Sequence, residues 1–321
     1  MTERHVHALD DIRLDTPSIV TIGVFDGVHL GHQRLIQRLV REAHASGRTS
    51  VIQTFFPHPD AVLKGVTGRY YLTSPEERAE LLLALGVDWV VTLPFNDAVR
   101  QVRAADYVDQ LCRSLKMNAL WVGPDFALGY KREGDVAFLR AQGEQRGFTV
   151  DTVDLRLDVG GQVIRSSLIR EILQAGQVEQ AAEWLGRPYA ISGEIVHGDH
   201  RGRLNGYPTA NLDVWPEKLL PANGVYACWA YVQGTRYMAV TNFGIRPTFA
   251  GTRLMIEAHL LDFAGDLYGQ TLLLELVRRL REEKRFDGID ALVVQIGRDV
   301  AAGRTILTEL AAGSGDDAAA T

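Results

Sequence analysis

Apolar residues in the first half of the chain follow two alternating patterns. Ser18–Val24 is a short β-branched run of the kind that forms a strand buried on both faces. Between His32 and Ala45, Leu35, Ile36, Leu39, Val40 and Ala43 recur at helical spacing, and Gly47 supplies a stop. The alternation continues along the chain. Val51–Phe55, Asp88–Leu93, Ala119–Val122 and Phe148–Val153 read as strands, with Pro75–Leu85, Ala104–Leu115 and Gly134–Arg146 as helices between them. Strands and helices in turn, with the strands apolar throughout, predict a doubly wound parallel α/β sheet.

After about Gly186 the helices drop out. Ile191–Val196, Gly224–Val232, Arg236–Asn242, Leu254–Leu261 and Thr271–Val277 are β-patterned segments separated by turns, and only Ile289–Ala302 predicts a substantial helix. Strands without crossover helices predict an antiparallel sheet or small β-barrel with a terminal helix. Gly186 and Pro188 punctuate the junction, so domains are expected at 1–186 and 187–310. The last residues, 311–321 (AAGSGDDAAAT), have no apolar face to bury and are expected to be a disordered tail.

Composition narrows the function classes. A length of 321 residues suits two domains, and 46% hydrophobic residues supports a substantial core. The formal charge is −6, with both halves more acidic than basic, so capture of a nucleic-acid backbone is not expected. Cys112 and Cys228 lie far apart, which excludes a cysteine zinc site or disulfide scaffold and fits a reducing cytoplasm. Met1–Asp15 carries no apolar signal core, and no apolar run approaches a membrane span. A soluble cytoplasmic protein acting on small molecules is the expectation.

Chemistry-bearing residues gather first where the first strand meets the first helix, in Gly23-Val-Phe25-Asp26-Gly27-Val-His29-Leu-Gly31-His32. Glycines let the backbone approach a ligand, and the helix N-terminus offers N–H groups to an anion. His29 and His32 are three apart, so both imidazoles can face one phosphate. Two donors on one α-phosphate suit nucleotidyl transfer, in which the second substrate brings the nucleophile. A Gly-rich turn with surface histidines is the plainer reading. Three further segments follow later strands or precede a helix: Phe56-Pro-His58-Pro, Gly123-Pro-Asp125-Phe, and Arg165-Ser166-Ser167-Leu-Ile-Arg170. Prolines would hold His58 in a stiff exposed loop, and Ser166 or Ser167 can cap a helix. Each alone is also an ordinary turn or cap.

A second cluster lies in the β-rich half. Gly198, Gly202 and Gly206 recur every four residues around Arg203, followed by Tyr207-Pro208-Thr209-Ala-Asn211. Such a backbone can wrap phosphate oxygens, and Thr209 and Asn211 offer hard oxygens suited to Mg²⁺. Glu257 sits in a strand pattern with Ile256 and Ala258 on the opposite face, where a carboxylate either faces solvent or serves as a general base. Arg281 lies in a charged stretch that ends at Phe286.

These segments, in this order, resemble the bacterial bifunctional riboflavin kinase/FAD synthetases. The first half is similar to that family's Rossmann-like HxGH nucleotidylyltransferase domain, and the second to its riboflavin kinase barrel, through G-Y-P-T-A-N, P-A-N-G-V-Y, G-I-R-P-T-F and E-A-H-L-L-D-F. The resemblance covers nearly all of residues 18 to 300. It implies riboflavin, FMN, FAD and ATP as substrates and products, with Mg²⁺ accompanying ATP. By it, His29 and His32 contact the ATP phosphates, Ser166, Ser167 and Arg170 close over the nucleotide, and Asp125 shapes the site. Thr209 and Asn211 bind Mg–ATP, Glu257 activates the riboflavin 5′-hydroxyl, and Arg281 lies near the flavin. Val24 stands where the family usually has Asn, and Ala127 and Leu128 also depart from the usual pattern. Kinase activity alone, a flavin-responsive regulator and an aminoacyl-tRNA-synthetase-like enzyme are the competing readings. The last lacks a KMSKS-like loop.

Overall fold

A computed structural model describes residues 3–153, 157–159, 161–197, 206–248 and 251–316, without the side chains of 158–159, 246–248, 251–253 and 314–316. The chain divides into two compact units, Met1–Ser166 and Ser167–Thr321.

The first unit is built on a six-stranded parallel sheet. Its strands are β1 (His5–Val6), β2 (Ser18–Ile22), β3 (Thr49–Phe56), β4 (Trp89–Pro94), β5 (Met117–Val122) and, after two short hairpin strands β6 (Ala127–Leu128) and β7 (Gly134–Asp135), β8 (Thr149–Thr152). The order is β1-β4-β3-β2-β5-β8. Strand–helix alternation predicted this parallel arrangement, and the residues explain it. Ile19, Ile52, Val90 and Ala119 pack with the helices α1 (Leu30–Ala45) and α3 (Pro75–Ala84) on one face. Their neighbours Val20, Val51, Val91 and Leu120 pack with α5 (Ala104–Leu115) and α6 (Val136–Arg146) on the other. Two minor helices, α2 (Pro59–Lys64) and α4 (Asp97–Gln101), follow β3 and β4.

The order reverses at β2. From there the chain runs outward through β3 and β4, then returns to place β5 on the other side. In open α/β sheets a ligand crevice opens at such a reversal, beyond the carboxyl ends of the strands.

A separate short antiparallel pair, β9 (Asp158–Val159) and β10 (Gln162–Val163), ends the strands of the first unit, and the second unit holds a closed antiparallel barrel in the order β11-β12-β15-β14-β13-β16. Its strands are β11 (Tyr189–Val196), β12 (Ala210–Val214), β13 (Gly224–Val232), β14 (Thr235–Thr248), β15 (Gly251–Leu260) and β16 (Thr271–Arg281). Ile256, Ala258 and Leu260 are buried while Met255, Glu257 and His259 are not, the alternation of a sheet with one face in a core. Leu272, Leu274 and Leu276 repeat it on β16.

Two boundaries differ from the sequence expectation. The division of the chain falls at Ser166/Ser167 rather than near 186, because α7 (Ser166–Gln174) and α8 (Val178–Leu185) belong largely with the barrel. The Ala222 N–H donates to the Leu173 carbonyl, and Arg278 meets Glu179 at 3.6 Å. The C-terminal helix runs Ile289–Asp316, six residues into the segment expected to be disordered, as alanines at 311 and 312 prolong a helix already nucleated. Residues 317–321 lie outside the described residues.

A polar clip closes the amino-terminal edge of the sheet. Asp88 Oδ2 accepts from the Ser50 N–H (2.8 Å) and the Ser50 hydroxyl (2.7 Å), with His44 Nε2 at 3.0 Å. Partial burial pushes the Asp88 carboxyl up, but the Ser50 and His44 hydrogen bonds outweigh it and hold the pKa below the usual carboxylate value. Asp88→Ala should therefore cost about 1–2 kcal/mol of stability at neutral pH in a denaturant titration. Because the folded pKa is depressed, this contribution is present above about pH 4 and disappears as pH falls through the folded value. The difference between variant and parent should close in acid.

Candidate active sites

The first site begins where β2 stops. The Gly23 N–H donates to the Gln53 carbonyl at 3.1 Å, keeping the chain on the sheet for one more residue. A β-carbon at Gly23 would come within 2.9 Å of the Phe25 ring, so the turn needs glycine there. The turn is tight. Phe25 (φ 52°), Gly27 (φ 80°) and Val28 (φ 41°) all have left-handed backbones, a costly conformation for phenylalanine and valine.

Asp26 holds the turn in place. It is 1% exposed, and its carboxylate accepts from the Leu72 N–H (3.1 Å), the Thr73 N–H (3.0 Å) and the Thr73 hydroxyl (3.0 Å). Thr73 Oγ1 accepts in turn from the Gly27 N–H at 3.1 Å. Asp26, expected among the nucleotide-binding groups, thus has its carboxylate bound to the 72–73 backbone. The Ser166 hydroxyl donates to the Asp26 carbonyl at 2.9 Å, bringing the start of α7 to the same turn. Ser167 and buried Arg170 follow on α7, within the second unit.

His29 caps α1, accepting from the His32 N–H through Nδ1 at 3.4 Å, which leaves the proton of a neutral ring on Nε2. The His29 and His32 rings stack, with centroids 3.6 Å apart and planes at 18°, and Phe25 meets His32 edge-on. His32 Nδ1 is buried with no hydrogen-bond partner. Desolvation, with His29 and Arg78 adding to it, holds the His32 pKa well below the ordinary value. Gly31 is buried inside the first turn of α1. The pair therefore sits at the N-terminal end of α1, the end of a helix that favours anions, with burial keeping His32 toward its neutral form.

A cavity of about 1100 Å³ opens beside Gly23 and Val24. Phe55, Phe95 and Phe126 line it together with His58 and Asp125, and Lys131 and Arg132 stand in its wall. His58 was expected in a stiff exposed loop. It instead caps α2, accepting from the Asp60 N–H at 3.0 Å, because Pro59 takes the first helical position. The Asp125 carbonyl accepts from Arg132 at 2.8 Å.

The second site is one row across the barrel. Asn211 on β12 pairs with Glu257 on β15, Glu257 with Asn242 on β14, Asn242 with Val225 on β13, and Val225 with Arg281 on β16. Residues directly opposite one another point to the same face, so five strands bring these side chains into one band. A cavity of about 440 Å³ lies along it, lined also by Thr209 and by Leu292, Ile296 and Asp299 of the C-terminal helix. Arg281 is clamped to Asp299, Nε lying 3.0 Å from both carboxylate oxygens, with a second nitrogen 2.8 Å from Oδ2. Asn211 Oδ1 is buried without a hydrogen-bond partner. His259 Nδ1 lies 2.7 Å from the Pro208 carbonyl, which can only accept, so the ring donates. Gly206 takes the left-handed turn that precedes this segment (φ 81°). Gly198, Gly202 and Arg203 lie outside the described residues.

Sequence reasoning passed over Arg78, Thr73, Asn242, His259 and Asp299. Arg78 carried a signal, since with Pro75, Ala79 and Leu82 it occupies the buried face of α3. Asn242, His259 and Asp299 depend on strand register and helix docking, which no local pattern encodes.

Two family models match the chain: FAD synthetase over residues 11–168 and riboflavin kinase over 185–307. A bifunctional riboflavin kinase/FMN adenylyltransferase of Pseudomonas fluorescens is 38% identical over 90% of this chain and 92% of its own. Its counterpart from Escherichia coli K12 is 37% identical, over 88% and 90%. The crystal structure of a Streptococcus pneumoniae protein described as a macrolide-efflux protein superposes with a TM-score of 0.83 at 29% identity, covering 94% of this chain and 98% of that one. Among the described residues no helix is long and apolar enough to cross a membrane.

Asp26→Ala strands the Leu72 and Thr73 N–H groups without their acceptor. It should destabilise the first unit by about 2–4 kcal/mol, read as a lowered unfolding midpoint.

Proposed function

Because the chain belongs to the bifunctional riboflavin kinase/FMN adenylyltransferase family, we infer how its two sites divide the work. The barrel region phosphorylates riboflavin with ATP to give FMN, and the α/β region transfers the adenylyl group of a second ATP to FMN, giving FAD and pyrophosphate.

In our reading the adenylyl-transfer step runs at the start of α1. A phosphate oxygen of FMN attacks the α-phosphorus of ATP and pyrophosphate leaves, so no protein nucleophile is required. His29 and His32 donate to the phosphates as charge moves toward the leaving pyrophosphate, and the helix N–H groups add a fixed positive field. Ser166, whose hydroxyl donates to the Asp26 carbonyl, stands on the nucleotide side. The apolar cavity beside Gly23 suits the isoalloxazine ring, with Phe55, Phe95 and Phe126 available for packing and Lys131 and Arg132 for charge.

In the barrel, Glu257 takes the proton of the ribityl 5′-hydroxyl as that oxygen attacks the γ-phosphorus and ADP leaves. The observation that carries this assignment is the transverse pairing of Glu257, which lines the cavity, with Asn211, whose buried carboxamide oxygen has no hydrogen-bond partner. That oxygen, with the Thr209 hydroxyl, is a hard donor set that fits Mg²⁺ bound to ATP phosphates, where the ion would offset phosphate charge. Gly198, Gly202, Arg203 and Gly206 belong to the phosphate-wrapping turn of the same proposal, and Arg281, fixed by Asp299, borders the flavin side. His259 keeps Pro208, and so the start of the Thr209–Asn211 segment, against β15. The cysteines Cys112 and Cys228 are free thiols, which suits the cytoplasm as the place of action.

Separate assays of the two reactions test the assignment. Glu257→Ala should lower FMN formation by about 100-fold or more and leave FAD formation from supplied FMN intact. His29→Ala should do the opposite, by a similar factor of about 100. Loss of both activities in either variant would end the two-site reading. Excess EDTA should silence riboflavin phosphorylation, with added Mg²⁺ restoring it. Persistence of the kinase in EDTA would remove Thr209 and Asn211 from metal binding.

A further inference from the structure

Arg78 stands on the apolar face of α3, where its neighbours Pro75, Ala79 and Leu82 are buried. It is 0% exposed, among the largest fully buried side chains of the molecule. A buried guanidinium is expensive, and an apolar side chain of similar volume would often serve stability better. A structural arginine at this depth would also be expected to have its five donors matched. Here a single terminal nitrogen is bound, 2.7 Å from the Val24 carbonyl, while Nε and the other terminal nitrogen are buried with no hydrogen-bond partner. The Asp26 carboxylate, which supports the charge of Arg78, is already engaged by Leu72 and Thr73.

The Val24 carbonyl is a junction. The Thr54 hydroxyl of β3 donates to it at 2.8 Å, and Arg78 of α3 donates from the other side. Both grip the chain one residue before the left-handed Phe25 and four before the left-handed Val28. A turn with two such residues relaxes unless its surroundings hold it.

We propose that Arg78 is a positioning residue for adenylyl transfer: through the Val24 carbonyl it fixes the turn that presents His29 and His32, and its buried charge stands behind that turn. No substrate reaches the guanidinium, so its effect passes through the turn and through the local field. The proposal rests on the reading of this turn as the adenylyl-transfer site. Among the described residues, the charged or titratable groups that act on His32 are His29 and Arg78, and those that act on Arg78 are Asp26, Tyr71 and Glu76. With its positive charge close by, Arg78 helps to keep the His32 ring neutral.

The test uses the full chain with Arg78→Met and Arg78→Lys, assaying FAD formation from FMN and FMN formation from riboflavin separately across about pH 5.5 to 9. In Arg78→Met the kcat for FAD formation should fall by about 100-fold, with the KM for FMN changed less than about 3-fold and the kinase unaffected. The acid limb of its pH profile should move to higher pH, because His32 has lost a neighbouring positive charge. Arg78→Lys should keep the parental acid limb and recover part of kcat. Losses that merely track the folded fraction, or an unmoved acid limb, overturn the proposal. If Arg78→Met does not fold, Arg78→Lys and Thr54→Val decide: reduced kcat in both supports it, and parental kcat in both overturns it. His29→Ala run alongside separates the two failures, since undiminished FAD formation there would reject the site assignment and not Arg78 alone.

Discussion

A carboxylate removed from water sets the terms for the first unit. Asp26 accepts from two backbone N–H groups and one hydroxyl, all on the 72–73 segment. Buried polar groups of this kind need such partners, because leaving either side unbonded away from water is costly. The result is mutual: the loop before α3 is shaped by the turn, and the turn is held by the loop. Everything that follows in the site inherits this geometry. Ser166 reaches the same Asp26 residue through its carbonyl, and the stacked imidazoles ride on the helix that the turn initiates. The N-terminal end of α1 is therefore placed by burial and hydrogen bonding some forty residues away in sequence.

The barrel reaches a comparable result by different means. There no single buried charge organises the site. Strand register does, because pairing across β12, β15, β14, β13 and β16 aligns Asn211, Glu257, Asn242, Val225 and Arg281. The C-terminal helix then covers one side of the band, and the Arg281–Asp299 pair joins helix to strand where both partners are largely buried. Paired and doubly hydrogen-bonded, the charges meet the condition under which burial of an ion pair is tolerated.

Much of this was legible from residue order. The alternation of strands with helical stretches, and its loss after about Gly186, distinguished the parallel sheet from the barrel. The glycine and histidine turn was legible because helix start, glycine and imidazole coincide there. Other features were hidden for definable reasons. β12 was passed over because Ala210–Val214 begins inside a segment dense in turn residues, and its alternation is only five residues long. The hold of Asp26 on the 72–73 segment was hidden because Leu72 and Thr73 carry no mark of the pairing in their own sequence. His58 looked like a loop residue because proline breaks helices more often than it starts them, although at the first helical position it does the reverse. Residues 311–316 continue the helix although they were expected in the tail, because an alanine-rich end without an apolar face can still extend an existing helix.

The transverse row in the barrel also bears on how such a chain can change over evolutionary time. Substitutions along it exchange one side chain while leaving the others where they are, so chemistry and affinity can drift position by position. A single-residue insertion within β15 ahead of Glu257 is a different event. It would turn the carboxylate toward the barrel interior and bring Ile256 to the face that Asn211 and Arg281 share, unless a bulge absorbed it. Length variation in this lineage should accordingly collect in the hairpin turns, such as Gln233–Gly234, and spare the strands that carry the row.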